Sequence, residues 1–260
     1  MARIFITGSS DGIGSVVARD LVKRGHSVVL HARSESRAND AENACPGAES
    51  TLIGDLSSIA DTKRLASEAN KLGTFDVVIH NAGLYHGGFK KTPEGFPALF
   101  AVNTLAPYVL TCLMNRPKRL VYVSSSMHYS GDGTLKDIAW KERGEKKWSD
   151  TTAYCDSKLH DVILALTVAR KWKGVASNVL DPGWVSTKMG GRMANGSPES
   201  SVKTYVDLAL VQGNVKEDDT GEYWVDAKMR TPREEASDQL RQETFLKACE
   251  EATGVKFPEA

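Results

Sequence analysis

Short apolar runs alternate with amphipathic ones along most of this 260-residue chain, and the alternation predicts strands and helices in turn. Ile4-Phe5-Ile6 predicts a buried strand, Ser15 to Arg24 a helix closed by Gly25 and His26, and Ser27 to His31 a second strand. Asn39 to Ser50 is polar and reads as a surface helix or loop, ahead of a third strand over Thr51 to Gly54. A helix from Ser58 to Leu72 and a fourth strand from Phe75 to His80 follow. Phe96 to Met114 reads as a helix kinked at Pro107. Leu120 to Val123 predicts a fifth strand and Ala176 to Leu180 a sixth. Between those two, the run from Tyr154 to Trp172 sets Leu159, Val162, Ile163, Leu166 and Ala169 at helical spacing. Pro198 to Val211 is helical, Gly221 to Val225 is a seventh strand, and the charges of a terminal helix over Ser237 to Thr253 form a solvated face. The sum is an α/β fold, one doubly wound, mostly parallel sheet of about seven strands with helices on both faces. Residues 1–260 read as a single domain with a short helical extension from about 236.

Two stretches break the rhythm. His128 to Trp148 is a long polar interlude with Gly131, Gly133, Gly144, Trp140 and Trp148, and loops of that length near a site often line it. Met189 to Ser197 is rich in glycine and makes a candidate lid. Composition narrows the partners. Lys+Arg and Asp+Glu number 33 each, so the balance points to neither nucleic acid nor a membrane surface. Cys45, Cys112, Cys155 and Cys249 lie far apart without a CxxC pair, against a metal ribbon or disulfide framework and in favour of reduced thiols in a cytoplasmic protein. Only Met1, Ala2 and Arg3 precede the first strand, leaving no expected room for a signal peptide.

Ligands of parallel sheets sit beyond the carboxyl ends of the strands, so residues that follow strands come first. Thr7-Gly8-Ser9-Ser10-Asp11-Gly12-Ile13-Gly14 joins a strand to a helix. Such glycines let a backbone approach a pyrophosphate, and the helix start offers free N–H groups and a positive dipole end. After the second strand an acid would bind the ribose 2′-OH of NAD(H). The chain has Ala32 and Arg33 instead, with Ser34 and Arg37 after them, which favours the 2′-phosphate of NADP(H) over NAD(H). Asp55-Leu56 ends the third strand, where the carboxylate meets an adenine amino group or caps the next helix. Asn81-Ala82-Gly83 ends the fourth and Ser124-Ser125-Ser126 the fifth; those serines donate to a carbonyl oxygen or make a turn. Asn103 lies inside an apolar helix and needs a partner if buried, as a core amide or as part of a site.

Tyr154 and Lys158 stand four apart, hence on one helix face. An ammonium about 5 Å from a phenol, at an effective dielectric near 20, favours phenolate by about 3 kcal/mol. The expected result is a tyrosine acidified by roughly two units, within reach of proton exchange near neutrality.

Thr7-Gly8-x-x-x-Gly12-x-Gly14, Asn81-Ala82-Gly83, Asn103, Ser125, Tyr154-x-x-x-Lys158 and Pro182-Gly183, in that order, resemble the short-chain dehydrogenase/reductases of the classical type. Lys91 to Phe96, Val121 to His128 and the long gap between Ser125 and Tyr154 are similar to the retinol dehydrogenase and WW-domain oxidoreductase branch. The resemblance implies a Rossmann-type fold and hydride exchange between nicotinamide and a carbonyl or alcohol, with Tyr154 as general acid and base. It implies that Ser125 holds the substrate oxygen, that Lys158 tunes Tyr154 and binds the nicotinamide ribose, and that Asn103 supports a water beside Lys158. Val185 and Thr187 would bond the carboxamide, and assembly into a homo-oligomer would use the helices bearing Asn103 and Tyr154 unless the C-terminal extension covers that surface. His80 and Ala106 depart from the family pattern, and Ser9-Ser10-Asp11 lacks the basic residue that NADP enzymes often carry in that loop. Trp184, Met189, His128, Tyr85 and Trp148 suggest an apolar pocket for a lipophilic ketone, aldehyde or alcohol. The other reading is a catalytically silent NADP-binding sensor or scaffold. A sugar epimerase of the extended branch needs a larger substrate domain than the 35 residues after Val225 can supply.

Overall fold

Strands buried on both faces need near-continuous apolar sequence, and the central strands have it. Ile4, Phe5 and Ile6 of β1 (Arg3–Ile6), Val28, Val29 and Leu30 of β2 (Ser27–Ala32), and all of β4 (Val77–His80) are buried. With β3 (Ser50–Ile53), β5 (Arg119–Val123), β6 (Ala176–Asp181), β7 (Tyr223–Val225) and β8 (Lys228–Arg230) they form one sheet in the order β3-β2-β1-β4-β5-β6-β7-β8. The computed structural model describes residues 1–259. Every neighbouring pair is parallel except the last. The antiparallel β8 escapes a sequence reading because its turn, Asp226-Ala227, has positive φ at both residues without the usual Asn-Gly. Its exposed Lys228 and Arg230 also blunt a sheet edge.

Helices cover both faces. α1 (Gly12–Lys23), α2 (Glu35–Ala44) and α7 (Pro198–Leu210) pack over one, burying Val17, Leu21, Ala41 and Tyr205. α1 starts at Gly12, three residues before the expected Ser15, because the Asp11 carboxylate caps the Gly12 N–H. The undecided polar stretch is the end of α2, capped by Ser34, and the approach to β3. On the other face lie α3 (Ile59–Lys71), a short α4 (Ala98–Phe100), α5 (Ala106–Leu113) and α6 (Asp150–Lys171). The chain stays helical through Pro107, but Ala101–Leu105 just before it is a π-helical segment, and Asn103 sits in its middle. Wider turns of this kind often mark functional sites.

α6 begins four residues before Tyr154, at a cap made by Ser149. Ala153 and every residue from Cys155 to Val168 are buried. The interlude after β5 is a cover for this helix. Leu135 and Ile138 join its core, and the Arg143 guanidinium stacks 3.7 Å from the Trp140 ring while donating to Asp156 at 2.9 Å. The charges of α8 (Gln239–Thr253) lie toward solvent as expected, with Glu243, Lys247, Glu250 and Glu251 exposed, and its other face buries Phe245, Leu246 and Cys249 in the core that holds α6. Tyr108 donates to Val255 O at 2.8 Å and Trp172 to Pro258 O at 3.1 Å. The chain's own C-terminal segment thereby covers the α5 and α6 surface at which assembly was expected.

Candidate active site

β1 and β4 are neighbours whose crossovers leave in opposite directions, and a crevice opens at their carboxyl ends. Thr7 Oγ1 accepts from the Asn81 and Ala82 N–H groups at 3.0 and 3.1 Å, and Asn81 Nδ2 donates to Thr7 O and Gly8 O at 3.0 and 3.2 Å. Tyr205 of α7 donates to Asn81 Oδ1 at 3.0 Å. This stitching brings backbone against backbone. A Cβ on Gly8, where φ is +64°, would lie 2.8 Å from Ala82 Cα, and one on Gly14 would lie 2.4 Å from Asn81 Nδ2. His31 Nδ1 accepts from the Gly8 N–H at 2.9 Å, which leaves Nε2–H to donate to Gly54 O at 2.9 Å. The ring is buried, and desolvation holds its pKa down at about 4. A closely packed glycine turn before an open helix start is what a dinucleotide pyrophosphate fits.

The other expected cofactor residues stand around this crevice or at its rim. Ile13 is half-buried on the first turn of α1 and Leu56 is buried after β3. The exposed Asp55 carboxylate accepts from Ser57 N and Oγ at 2.9 and 2.8 Å, and Ser58 caps α3, so the capping alternative for Asp55 is set aside. Gly183 N donates to Asp181 Oδ1 at 2.7 Å, and Pro182 O accepts from Ser201 at 2.7 Å. Val185 is buried and bridges to Gly196, while Thr187 Oγ1 accepts from Gly190 N at 3.0 Å and faces Gly12 across the cleft. Arg33 is exposed. The guanidinium turned toward the glycine loop belongs to Arg37, 3.3 Å from both Ser10 O and Ser10 Oγ.

Beside the crevice, β5, α6 and the π-helical segment converge. Lys158 Nζ donates to Val123 O and to Asp161 Oδ2, both at 2.8 Å, and lies 5.4 Å from the Tyr154 ring centroid. Ser124 Oγ donates to Lys158 O at 2.8 Å and ties the strand end to the helix. Asn103 is a fully engaged amide, accepting from Leu84 N at 2.7 Å and donating to Leu84 O at 2.8 Å and Ser157 Oγ at 3.0 Å. A Cβ on Gly83 would fall 3.6 Å from Asn103 Oδ1 and 3.8 Å from Lys158 Nζ, so the three positions meet. Ser125 lies two residues past the end of β5 and caps the 3₁₀ turn Ser126–Ser130, which packs on α6. The Tyr85 ring meets that of Tyr154 edge-on at 4.6 Å.

The expected acidification of Tyr154 is not what this arrangement gives. Burial pushes the phenol pKa up and Lys158 opposes that, but Asp161, Asp181 and Tyr85 add to the rise. A sum over one lysine left out the desolvation and the carboxylates. His128 is a second correction. Its ring is buried, with Nδ1 at 2.7 Å from Ser125 O and Nε2 accepting from Arg233 N at 3.2 Å, so it braces the Ser125 turn rather than lining an open pocket. Asp161 was missed altogether. The signal was available in its spacing, an acid three residues after Lys158 and flanked by Leu159, Val162 and Ile163.

The short chain dehydrogenase family model matches residues 2–197. The short-chain dehydrogenase chyC of Penicillium rubens is 50% identical over 259 residues, covering 99% of this chain and all of its own. Retinol dehydrogenase 14 of Mus musculus is 30% identical over 211 residues, 72% of this chain and 62% of that protein. A solved protein of Mycobacterium paratuberculosis superposes with a TM-score of 0.80 at 23% identity, covering 99% of this chain and 95% of the other.

Proposed function

The chain belongs to the short-chain dehydrogenase family, and on that premise we propose that it is an NADP-dependent oxidoreductase acting between a carbonyl and an alcohol. The observation that carries the reading is the convergence of Tyr154, Lys158 and Asn103 beside the glycine crevice. In this reading Gly8, Ser10, Gly12, Ile13 and Gly14 receive the pyrophosphate, while Asp55, Leu56, Asn81, Ala82 and Gly83 receive the adenosine side and the ribose. Pro182, Gly183, Val185 and Thr187 hold the carboxamide end. When bound, the dinucleotide supplies hydride transfer to or from carbon. Ser125 donates to the substrate oxygen, Tyr154 gives that oxygen its proton or takes it away, and Lys158 holds its charge near the phenol. Asn103 fixes the helix turn under Lys158.

Trp184 and Met189, on the segment that carries Val185 and Thr187, are 57% and 38% open to solvent, and they support a lipophilic ketone, aldehyde or secondary alcohol as substrate. Free thiols at all four cysteines support a cytoplasmic setting. Among the described residues no helix is long and apolar enough to cross a membrane.

The test follows NADPH oxidation across a panel of carbonyl compounds. Tyr154→Phe should lower kcat by about 10²- to 10⁴-fold while NADPH binding persists. The silent-sensor reading takes over if NADPH binds tightly and no compound turns over in the wild type.

A further inference from the structure

We propose that Asp161 is a positioning residue for the reacting pair, its carboxylate holding the Lys158 ammonium against Val123 and offsetting the charge that Tyr154 feels. The inference rests on the reading of Tyr154 and Lys158 given above. Its geometry is independent of that reading. Asp161 Oδ2 stands 2.8 Å from Lys158 Nζ, each side chain is 6% exposed, and the two lie one turn apart on a helix buried all round. A buried ion pair contributes little stability beyond what apolar residues of the same size would give, so packing alone is a poor reason for a carboxylate here. Asp161 also lines a cavity of about 10 Å³ shared with Thr7, His80, Ala82 and Pro107. Into the same buried region comes His80, whose Nδ1 has no hydrogen-bond partner among the described residues. That volume is about what one water occupies.

The charges around the phenol decide the sign. On α6 they are Lys158 and Asp161. From the packed elements come neutral His80 at the end of β4, Tyr85 after it, Tyr122 of β5, Asp181 of β6 and Tyr205 of α7. Burial raises the Asp161 carboxyl to about 6 against the pull of Lys158, so it is ionised at pH 7. Burial lowers Lys158, but Asp161 and Tyr154 outweigh that and keep it an ammonium. With its neighbour's charge offset, Tyr154 stays a proton donor near neutrality, the form that carbonyl reduction consumes.

Asp161→Asn keeps an oxygen for Lys158 and removes the charge. The pH dependence of kcat/KM, measured with bound cofactor in both directions, should shift down by about one pH unit. The Tyr154 ring carbon in ¹³C-tyrosine NMR of the cofactor-free protein, assigned with Tyr154→Phe, should titrate lower by the same amount. Activity lost evenly at all pH values with both midpoints unmoved would overturn the proposal and leave Asp161 a packing residue. Should Asp161→Asn not fold, ¹³C-carboxyl NMR of the wild type decides: an Asp161 ionised at pH 7 upholds the offset, and one still protonated there overturns it. Full activity in Tyr154→Phe would instead defeat the underlying reading, whereas an inactive Tyr154→Phe beside an unshifted Asp161→Asn defeats this inference alone.

Discussion

At Arg37 the guanidinium lies 3.3 Å from Ser10 O and Oγ, and it pairs with Asp11 at 3.3 Å and Asp40 at 2.8 Å. It is half-buried, whereas Arg33 projects into solvent. A charge-assisted bond made from a held side chain discriminates better than one made from a free one. Arg37→Ala should therefore raise the KM for NADP by about tenfold, a loss of roughly 1.4 kcal/mol, and leave the KM for NAD nearly unchanged. Arg33→Ala should have the smaller effect, and steady-state kinetics with both cofactors ranks the two. If Arg33→Ala costs more, the 2′-phosphate sits at the strand end as the sequence suggests. Choosing between two arginines four residues apart requires knowing where α2 starts, and Ser34 as its cap sets that. The Tyr154–Lys158 pair was legible because one helical turn fixes it. The acidity of Tyr154 was not, since it depends on Asp181, which is 27 residues away in sequence, and on burial that no local pattern records.

α8 shows the same limit for a whole element. Its sequence is dense in charge, and the existence of a terminal helix follows from Phe245, Leu246 and Cys249 recurring within a turn. What the helix packs on does not follow, because that surface is assembled from α5, α6 and the C-terminal residues after Thr253. Phe245 is 1% exposed and its ring lies 5.6 Å from that of His160 on α6. Phe245→Ala should destabilise the protein by about 3–5 kcal/mol, the usual range for emptying a buried phenylalanine site. Urea unfolding followed by tryptophan fluorescence measures it. A loss under 1 kcal/mol would mean that α8 is the loosely docked, solvated helix its charges suggest. The π-helical segment before Pro107 is a milder case: apolar spacing reads as helix across it, and the change of register at Asn103 leaves no mark in composition.

For the molecule as a whole, the alternation of strand and helix was enough for the parallel part of the sheet and for the edge on which the site stands, because short crossovers and fixed handedness leave few other arrangements. Its response to acid depends instead on side chains buried by that arrangement. His31, His80 and His160 are enclosed, and desolvation holds them neutral, at about 4, 3 and 3 respectively. An unfolded histidine titrates near 6.5. With the folded value lowered, the stability these rings contribute is whole above pH 6.5 and is lost as the pH falls toward 4. Each ring costs about 1.4 kcal/mol per pH unit in that window. Asp161 works the other way: its folded pKa is raised, so between an ordinary carboxylate value and about 6 the folded chain takes up a proton more readily and gains about the same amount. Three histidines against one aspartate leave a net loss of about 3 kcal/mol per unit from pH 6 to pH 4. A domain of ordinary stability, about 5–15 kcal/mol, cannot sustain that loss over more than a few units. Urea midpoints taken every half unit should fall steeply below pH 6, and a curve flat from pH 7 to pH 4.5 would show that the rings take up protons without unfolding the chain.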